Sequence, residues 1–285
     1  MHRAAETDDP PAVRAFDSLA LDFDERFGRW ASVAAQRRAV RREFLTVFPE
    51  GARLLELGGG TGEDALFLAE RGRRVLLTDG SERMVAEAGR KARAAKLEGL
   101  IETRCVRLEE LSPFADACEA EGREPFAGCF SNFAALNCLV GSAALAAFGR
   151  ALARLLVPGA HAQLVVFGPL SPGEILVLLS RGKRAAAFRR LSRGPVPARV
   201  NGHSFEVGYP SPRDHARALA PWFRLERKRG IGVFVPPSSA EPAISRFPRL
   251  LSALEALDRA LAAPLAMLGD HVLLDFVRTE RALPR

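Results

Sequence analysis

The stretch Leu54-Leu55-Glu56-Leu57-Gly58-Gly59-Gly60-Thr61-Gly62 limits what this chain can fold into more than any other part of it. A short apolar run of this kind reads as a buried strand, and here it empties into glycines at the first, third and fifth positions of a strand-to-helix turn. Glycine at those positions lets bare backbone approach a ligand above the carboxyl end of the strand, where open parallel sheets bind ligands. A dinucleotide-binding turn also needs glycine at the sixth position, where Glu63 stands, and a carboxylate beside a pyrophosphate is unfavourable. No Gly-Lys-Ser/Thr sequence follows, which disfavours nucleotide hydrolysis.

Strands and helices alternate around this turn. The spacing of apolar residues predicts a helix at 63–71, a strand at 73–78, a helix over about 82–95 with Ser81 as N-cap, and a strand near 101–107. A helix at 112–121, a strand at 126–132, a helix at 142–156, a turn at Val157-Pro158-Gly159 and a strand at 161–167 complete the run. Such alternation argues for an α/β fold with a mostly parallel sheet covered on both faces. Before it, residues 12–48 read as two helices broken near Gly28. After it, residues 169–209 read as an insertion with a helix at about 172–192, a Gly194-Pro195 break and a hairpin turning at Asn201-Gly202. A helix near Ser211, a strand at 223–235, a second helical insertion at about 239–266 and a last strand at 271–278 follow. The chain thus divides into an N-terminal helical cap (1–48), a ligand-binding core (49–168), a lid insertion (169–209) and the remainder of the core sheet (210–285).

A second element sharpens the site. Asp79 ends the strand after the glycine turn, where a carboxylate can accept two hydrogen bonds from the vicinal hydroxyls of a ribose. With both elements in place, the sequence resembles the class I S-adenosylmethionine-dependent methyltransferases over roughly residues 14–168 and the final strand pair. Glu56 to Gly62 resembles the family's first motif, and Asp79 with Met84 its second. The segment 126–139, containing Ser131-Asn132-Phe133, resembles the fourth, and Leu156-Val157-Pro158-Gly159 the approach to the fifth strand.

The resemblance implies a Rossmann-like, doubly wound sheet of seven strands with an antiparallel last strand, and S-adenosylmethionine as cofactor. It implies that Gly58, Gly60, Thr61 and Gly62 form the cofactor turn, with Glu56 orienting the loop and the ammonium group. Asp79 would hold the ribose, Met84 would pack near the adenine, and Asn132 would lie near the methionine part. Phe16 to Asp24 is similar to an entry helix that closes over the cofactor in small-molecule members, with Phe23 where tyrosine is common. The third motif departs from the family: Leu108 supplies an apolar contact and the acidic partner is displaced to Glu109. Gly59 replaces a common cysteine, a change expected to matter little.

Displacement at a sulfonium needs positioning first, and a base only if the acceptor must lose a proton. The candidates for a base are His203, Tyr209 and His215, in or just after the lid insertion; His161 and His271 open strands and are not favoured. Between Glu174 and Glu206 the insertion carries Arg181, Lys183, Arg184, Arg189, Arg190, Arg193 and Arg199 with no acidic residue. Such a segment suits an acidic small molecule, a lipid-like acceptor at an anionic membrane surface, or a solvated face.

The formal net charge of +7 rests on 41 basic residues of which four are lysine, so a bias toward arginine accounts for much of it. Aromatics are not interleaved with the arginines, which weakens the case for stacking on single-stranded nucleic acid; no DNA partner is expected, and RNA stays open. Cys105, Cys118, Cys129 and Cys138 lack metal or redox spacing, and no carboxylate cluster suggests a metal. Glu6, Asp8, Asp9 and Pro10-Pro11 leave no apolar signal region, and no run of 18 apolar residues occurs, so a cytoplasmic protein without a transmembrane segment is expected. Three readings compete: methyl transfer to a small molecule, methyl transfer to RNA, and a non-catalytic binding module of the same fold.

Overall fold

The computed structural model describes residues 9–192 and 194–281; Glu6, Asp8 and Arg193 lie outside the described residues. Parallel strands β1 (Arg53–Leu57), β2 (Arg74–Asp79), β3 (Ile101–Cys105), β4 (Phe126–Ser131) and β5 (Leu156–Phe167) alternate with helices α4 (Glu63–Ala69), α5 (Glu82–Ala94), α6 (Leu111–Ala120) and α7 (Ser142–Leu155). The N-terminal helices α1 (Pro11–Asp17), α2 (Phe23–Gly28) and α3 (Ala31–Val47) precede them. After β5 come α8 (Pro172–Ser180), α9 (Arg184–Ala187), the hairpin β6–β7 (Val196–Val200, His203–Val207) and α10 (Pro212–Leu219). Strand β8 (Phe223–Ile231), α11 (Pro248–Leu261) and β9 (His271–Arg278) close the chain.

The main sheet has seven strands in the order β3-β2-β1-β4-β5-β9-β8, with β9 antiparallel to both neighbours. Strand residues alternate between two cores because both faces are covered. Leu55, Leu57 and Leu76 enter a core with α6, α7 and α10, while Leu54, Val75 and Leu77 enter another with α3, α4 and α5. The order reverses between β1 and β4, which opens a crevice above their carboxyl ends.

Several elements differ from their sequence reading. The N-terminal segment holds three helices, since turns at 18–22 separate α1 from α2. The segment 156–167 is one strand with an irregular register against β4, so Val157-Pro158-Gly159 lies inside it. The helix expected over 172–192 breaks at Gly182, whose φ of +70° suits glycine, and only two short helices form. Strand β8 stops at Ile231, before Gly232 at φ +67°. The hairpin turns at Asn201-Gly202 as the sequence predicts, both residues having positive φ (46° and 84°), which matches the twist of the paired strands.

Candidate active site

The crevice continues into a cavity of about 480 Å³. One end is floored by Gly58, Gly60, Asp79, Met84, Leu108 and Glu109. The other is walled by Phe16, Phe167, Phe205, Val207, Tyr209 and the inward face of β6. Helix α1 packs on β7, and Asn201 Nδ2 donates to Ser18 Oγ at 2.9 Å, so the N-terminal helices and the hairpin roof the cavity together.

The glycine turn is shaped by more than conformational freedom. Gly58 has φ +64°, and a Cβ on it would collide with that of Ala135. A Cβ on Gly59 would lie 2.6 Å from Leu77 Cγ and 2.8 Å from Glu56 Cδ. The expectation that residue 59 matters little is therefore corrected: a side chain there would displace the carboxyl group beneath it. At Gly60 the same construction meets nothing within 4 Å, because this edge of the turn faces the cavity.

Asp79 is anchored by both oxygens, Oδ2 accepting from the Gly60 amide and Oδ1 from the Ser81 amide, each at 2.9 Å. Each carboxylate oxygen keeps a second lone pair for a ligand. Burial pushes its carboxyl up, and the backbone donors of Ser81 and Gly60 pull it back. Glu56 is buried, and its Oε2 has no hydrogen-bond partner. Burial, followed by the negative charge of Asp64, pushes the Glu56 carboxyl well above the ordinary value. A buried carboxyl oxygen without a donor beneath a ligand-binding turn is a ready partner for a cationic ligand group.

Asn132 lines the cavity, but its side chain is already engaged: Nδ2 donates to Asp64 Oδ2 at 2.8 Å and Oδ1 accepts from the Phe133 amide. Asp64 in turn accepts from Arg37 Nη1 at 2.9 Å and Arg41 Nε at 2.6 Å, both on α3. Burial raises the Asp64 carboxyl, yet the two guanidinium groups and Asn132 outweigh it and hold the group below its ordinary value. Sequence reasoning missed this hub. Its only trace in the sequence is the pair of arginines at i and i+4 on α3.

Other candidates fall in different places. Phe23 lines the cavity, packed on Phe27 with ring centroids 4.9 Å apart. Gly62, at φ +83°, packs on Ala88 away from the cavity lining, and Thr61 is also turned away: its Oγ1 donates to Asp24 Oδ1 at 2.6 Å and ties α2 to the turn. Lys91 Nζ reaches the same aspartate at 2.7 Å. Of the three possible bases, Tyr209 alone lines the cavity, its ring 5.5 Å from that of Phe167. His203 is exposed at the start of β7. His215 is fully buried on the face of α10 that packs against α7, so burial lowers its pKa and leaves it neutral and remote from the cavity lining. His271 had been set aside because it opens a strand; in an antiparallel strand, however, the opening residue stands at the carboxyl end of the parallel neighbours. It pairs in register with Phe167 and stacks on that ring at 5.2 Å.

Residues 54–159 match the family model of a methyltransferase domain. Across solved structures, the architecture is that of the class I methyltransferases. The CcbJ methyltransferase from Streptomyces caelestis is 15% identical with a TM-score of 0.58, covering 93% of this chain and 98% of its own. The DhpI–SAH complex is 18% identical with a TM-score of 0.53, covering 95% and 97%. The [4+2]-cyclase SpnF is 15% identical with a TM-score of 0.56, covering 94% and 96%. At such identities the likeness is one of fold. No curated protein matches the chain. Residues 54–159 are thus similar to a methyltransferase domain, and the chain as a whole has the fold of the methyltransferases it resembles.

Proposed function

We propose that the chain is an S-adenosylmethionine-dependent methyltransferase acting on a small, largely apolar acceptor. The observation that carries this is the continuous cavity, which joins a turn suited to the cofactor to a pocket walled mostly by aromatic and aliphatic side chains, with Arg189 and Arg199 also in its lining. The residues present fit the cofactor on three grounds. Asp79 offers free lone pairs toward the cavity, Glu56 has an unpartnered buried oxygen for an ammonium group, and the edge of Gly60 is open. A neighbour of the same fold, DhpI, is a complex with SAH.

In this reading Asp79 holds the ribose, Glu56 the ammonium group, and Met84 and Leu108 the adenine, with Glu109 beside it. Phe23 covers the methionine part, and Asp64 keeps Asn132 fixed at the rim. The chemistry supplied by the bound cofactor is an activated methyl on a sulfonium. The chain's own contribution is to align the acceptor and exclude water, worth on the order of 7–11 kcal/mol when orientation is good. The segments 1–48 and 169–209 act as cap and lid over the core, 49–168, and residues 210–285 complete the sheet. Tyr209 is the one proposed base positioned to meet an acceptor. The roofed cavity favours a small molecule over an RNA strand. The likeness to a [4+2]-cyclase favours a second reading, in which the same cavity serves a different reaction.

Calorimetric titration with S-adenosylmethionine and S-adenosylhomocysteine tests the cofactor site, with Asp79→Ala alongside. Saturable binding by the wild type, weakened by about 3–6 kcal/mol when two charge-assisted hydrogen bonds are removed, is expected. Absence of binding by folded wild-type protein would overturn the reading. Binding with no transfer of labelled methyl across an acceptor panel would favour the second one.

A further inference from the structure

We propose that the outer face of α8 and α9 docks on an anionic lipid bilayer. Leu176 is 68% exposed, Phe188 48% and Leu191 57%, with Leu170 and Leu179 also exposed. Large apolar side chains left outside in one short segment mark an interaction surface. Exposed Arg181, Lys183 and Arg184 stand between the apolar residues of α8 and those after α9, and no ion pair holds them among the described residues. By contrast, Arg189 and Arg190 on the inner side share Glu174, at 2.6 Å and 2.7 Å, and Arg190 also meets Asp270 at 2.7 Å. Those bonds pin the base of the segment to Asp270, just before β9, and leave its outer cations free.

The second insertion packs beside the start of α8 and carries exposed apolar side chains of its own. Pro237 lies against Gly173 at the start of α8, and beyond it Phe247 is 57% and Leu250 50% exposed. Apolar side chains interspersed with unpaired cations fit the boundary between acyl chains and phosphate headgroups, where each cation adds attraction to an anionic surface. A second copy of the chain is a poorer occupant, because a two-fold interface on this face would set the same three cations against themselves. The proposal does not depend on the methyl-transfer reading.

Cosedimentation of the full chain with vesicles of equal phosphatidylglycerol and phosphatidylcholine tests it, against vesicles of phosphatidylcholine alone. Binding to the anionic vesicles that weakens with added salt is expected. The triple variant R181E/K183E/R184E is expected to bind about 100-fold more weakly. L176D/L191D, at exposed positions, is expected to lose binding while keeping the wild-type melting temperature. R90E/R217E/R224E makes the same change in net charge on exposed arginines elsewhere and is expected to retain binding. Failure of the wild type to prefer anionic vesicles overturns the proposal, as does equal loss in the control triple. Concentration-dependent dimerisation abolished by L176D/L191D would assign the face to a second copy and overturn it as well.

Discussion

The two ends of the cavity are built on different principles. At the turn end, two polar groups that face the cavity are each held by two others: Asp79 by the Gly60 and Ser81 amides, Asn132 by Asp64 and the Phe133 amide. At the roof end the walls are mostly apolar, with Arg189 and Arg199 among them, and they come largely from α1 and the β6–β7 hairpin, which pack on one another more than on the sheet. The first arrangement fixes one ligand in one pose. The second can be repacked without disturbing the sheet, so the acceptor site can change while the cofactor site is kept.

The largest expected effect is at Asp64. Removing it leaves Arg37 with no anionic partner and Arg41 with only Glu63, and breaking a buried ion pair in this way costs up to about 3–5 kcal/mol. Urea unfolding of Asp64→Ala checks this loss; a change under about 1 kcal/mol would mean that the hub is solvated rather than structural.

Gly58→Ala comes next. Its Cβ would collide with Ala135 in a left-handed backbone conformation. The conformation costs about 1–2 kcal/mol and the overpacking about 1–3 kcal/mol. The variant should melt lower and bind cofactor weakly. Gly60→Ala, facing open space, should fold with only the conformational cost yet still lose cofactor affinity. Equal behaviour of the two would erase the distinction between a packed and an open edge of the turn.

Glu56→Gln separates stability from binding. Because burial raises the folded carboxyl above its unfolded value, the native state holds a proton that the unfolded chain has released. Stability from this group is therefore full below the unfolded pKa and is lost as pH rises through the raised one. The amide removes that loss, so unliganded Glu56→Gln should melt higher than wild type at neutral pH and no higher at pH about 4. Binding should respond in the opposite sense. A cationic ligand group favours the carboxylate, so wild-type affinity should fall as pH is lowered, while the variant binds about 1.5–3 kcal/mol more weakly with a flatter profile. Melting curves and titrations at several pH values check both signs.

The unequal construction also explains what could be read from the sequence. The alternation of strands and helices and the turn follow from local rules: apolar runs, glycines where φ is positive, a serine cap whose Oγ accepts from the Met84 amide. The Asn201-Gly202 turn was legible for the same reason. The Asp64 hub was not, because it joins residues 27 and 68 positions apart whose meeting depends on how α3 lies across the sheet. Thr61 reads as a cofactor contact, yet Asp24, 37 residues earlier, draws its hydroxyl away. His215 looked available in the sequence because a histidine on a polar-looking helix gives no sign of which face is buried. His271 opens the antiparallel last strand that the resemblance already implied, and it lies buried against Phe167 outside the cavity lining.

The smallest expected effect tests the roof. Tyr209 packs at a tilt on Phe167 and presents the only phenol in the chain to the cavity. If it only walls the pocket, Tyr209→Phe should leave cofactor affinity unchanged and lower kcat/KM for an identified acceptor by less than about tenfold, the value of one neutral hydrogen bond. If it takes a proton from the acceptor, the loss falls on kcat and reaches about 100-fold or more. The aromatic wall around it and the cavity's lack of any other proposed base make either result informative. A small effect leaves alignment as the chain's whole contribution, and a large one gives the roof a part in the chemistry as well as in the choice of acceptor.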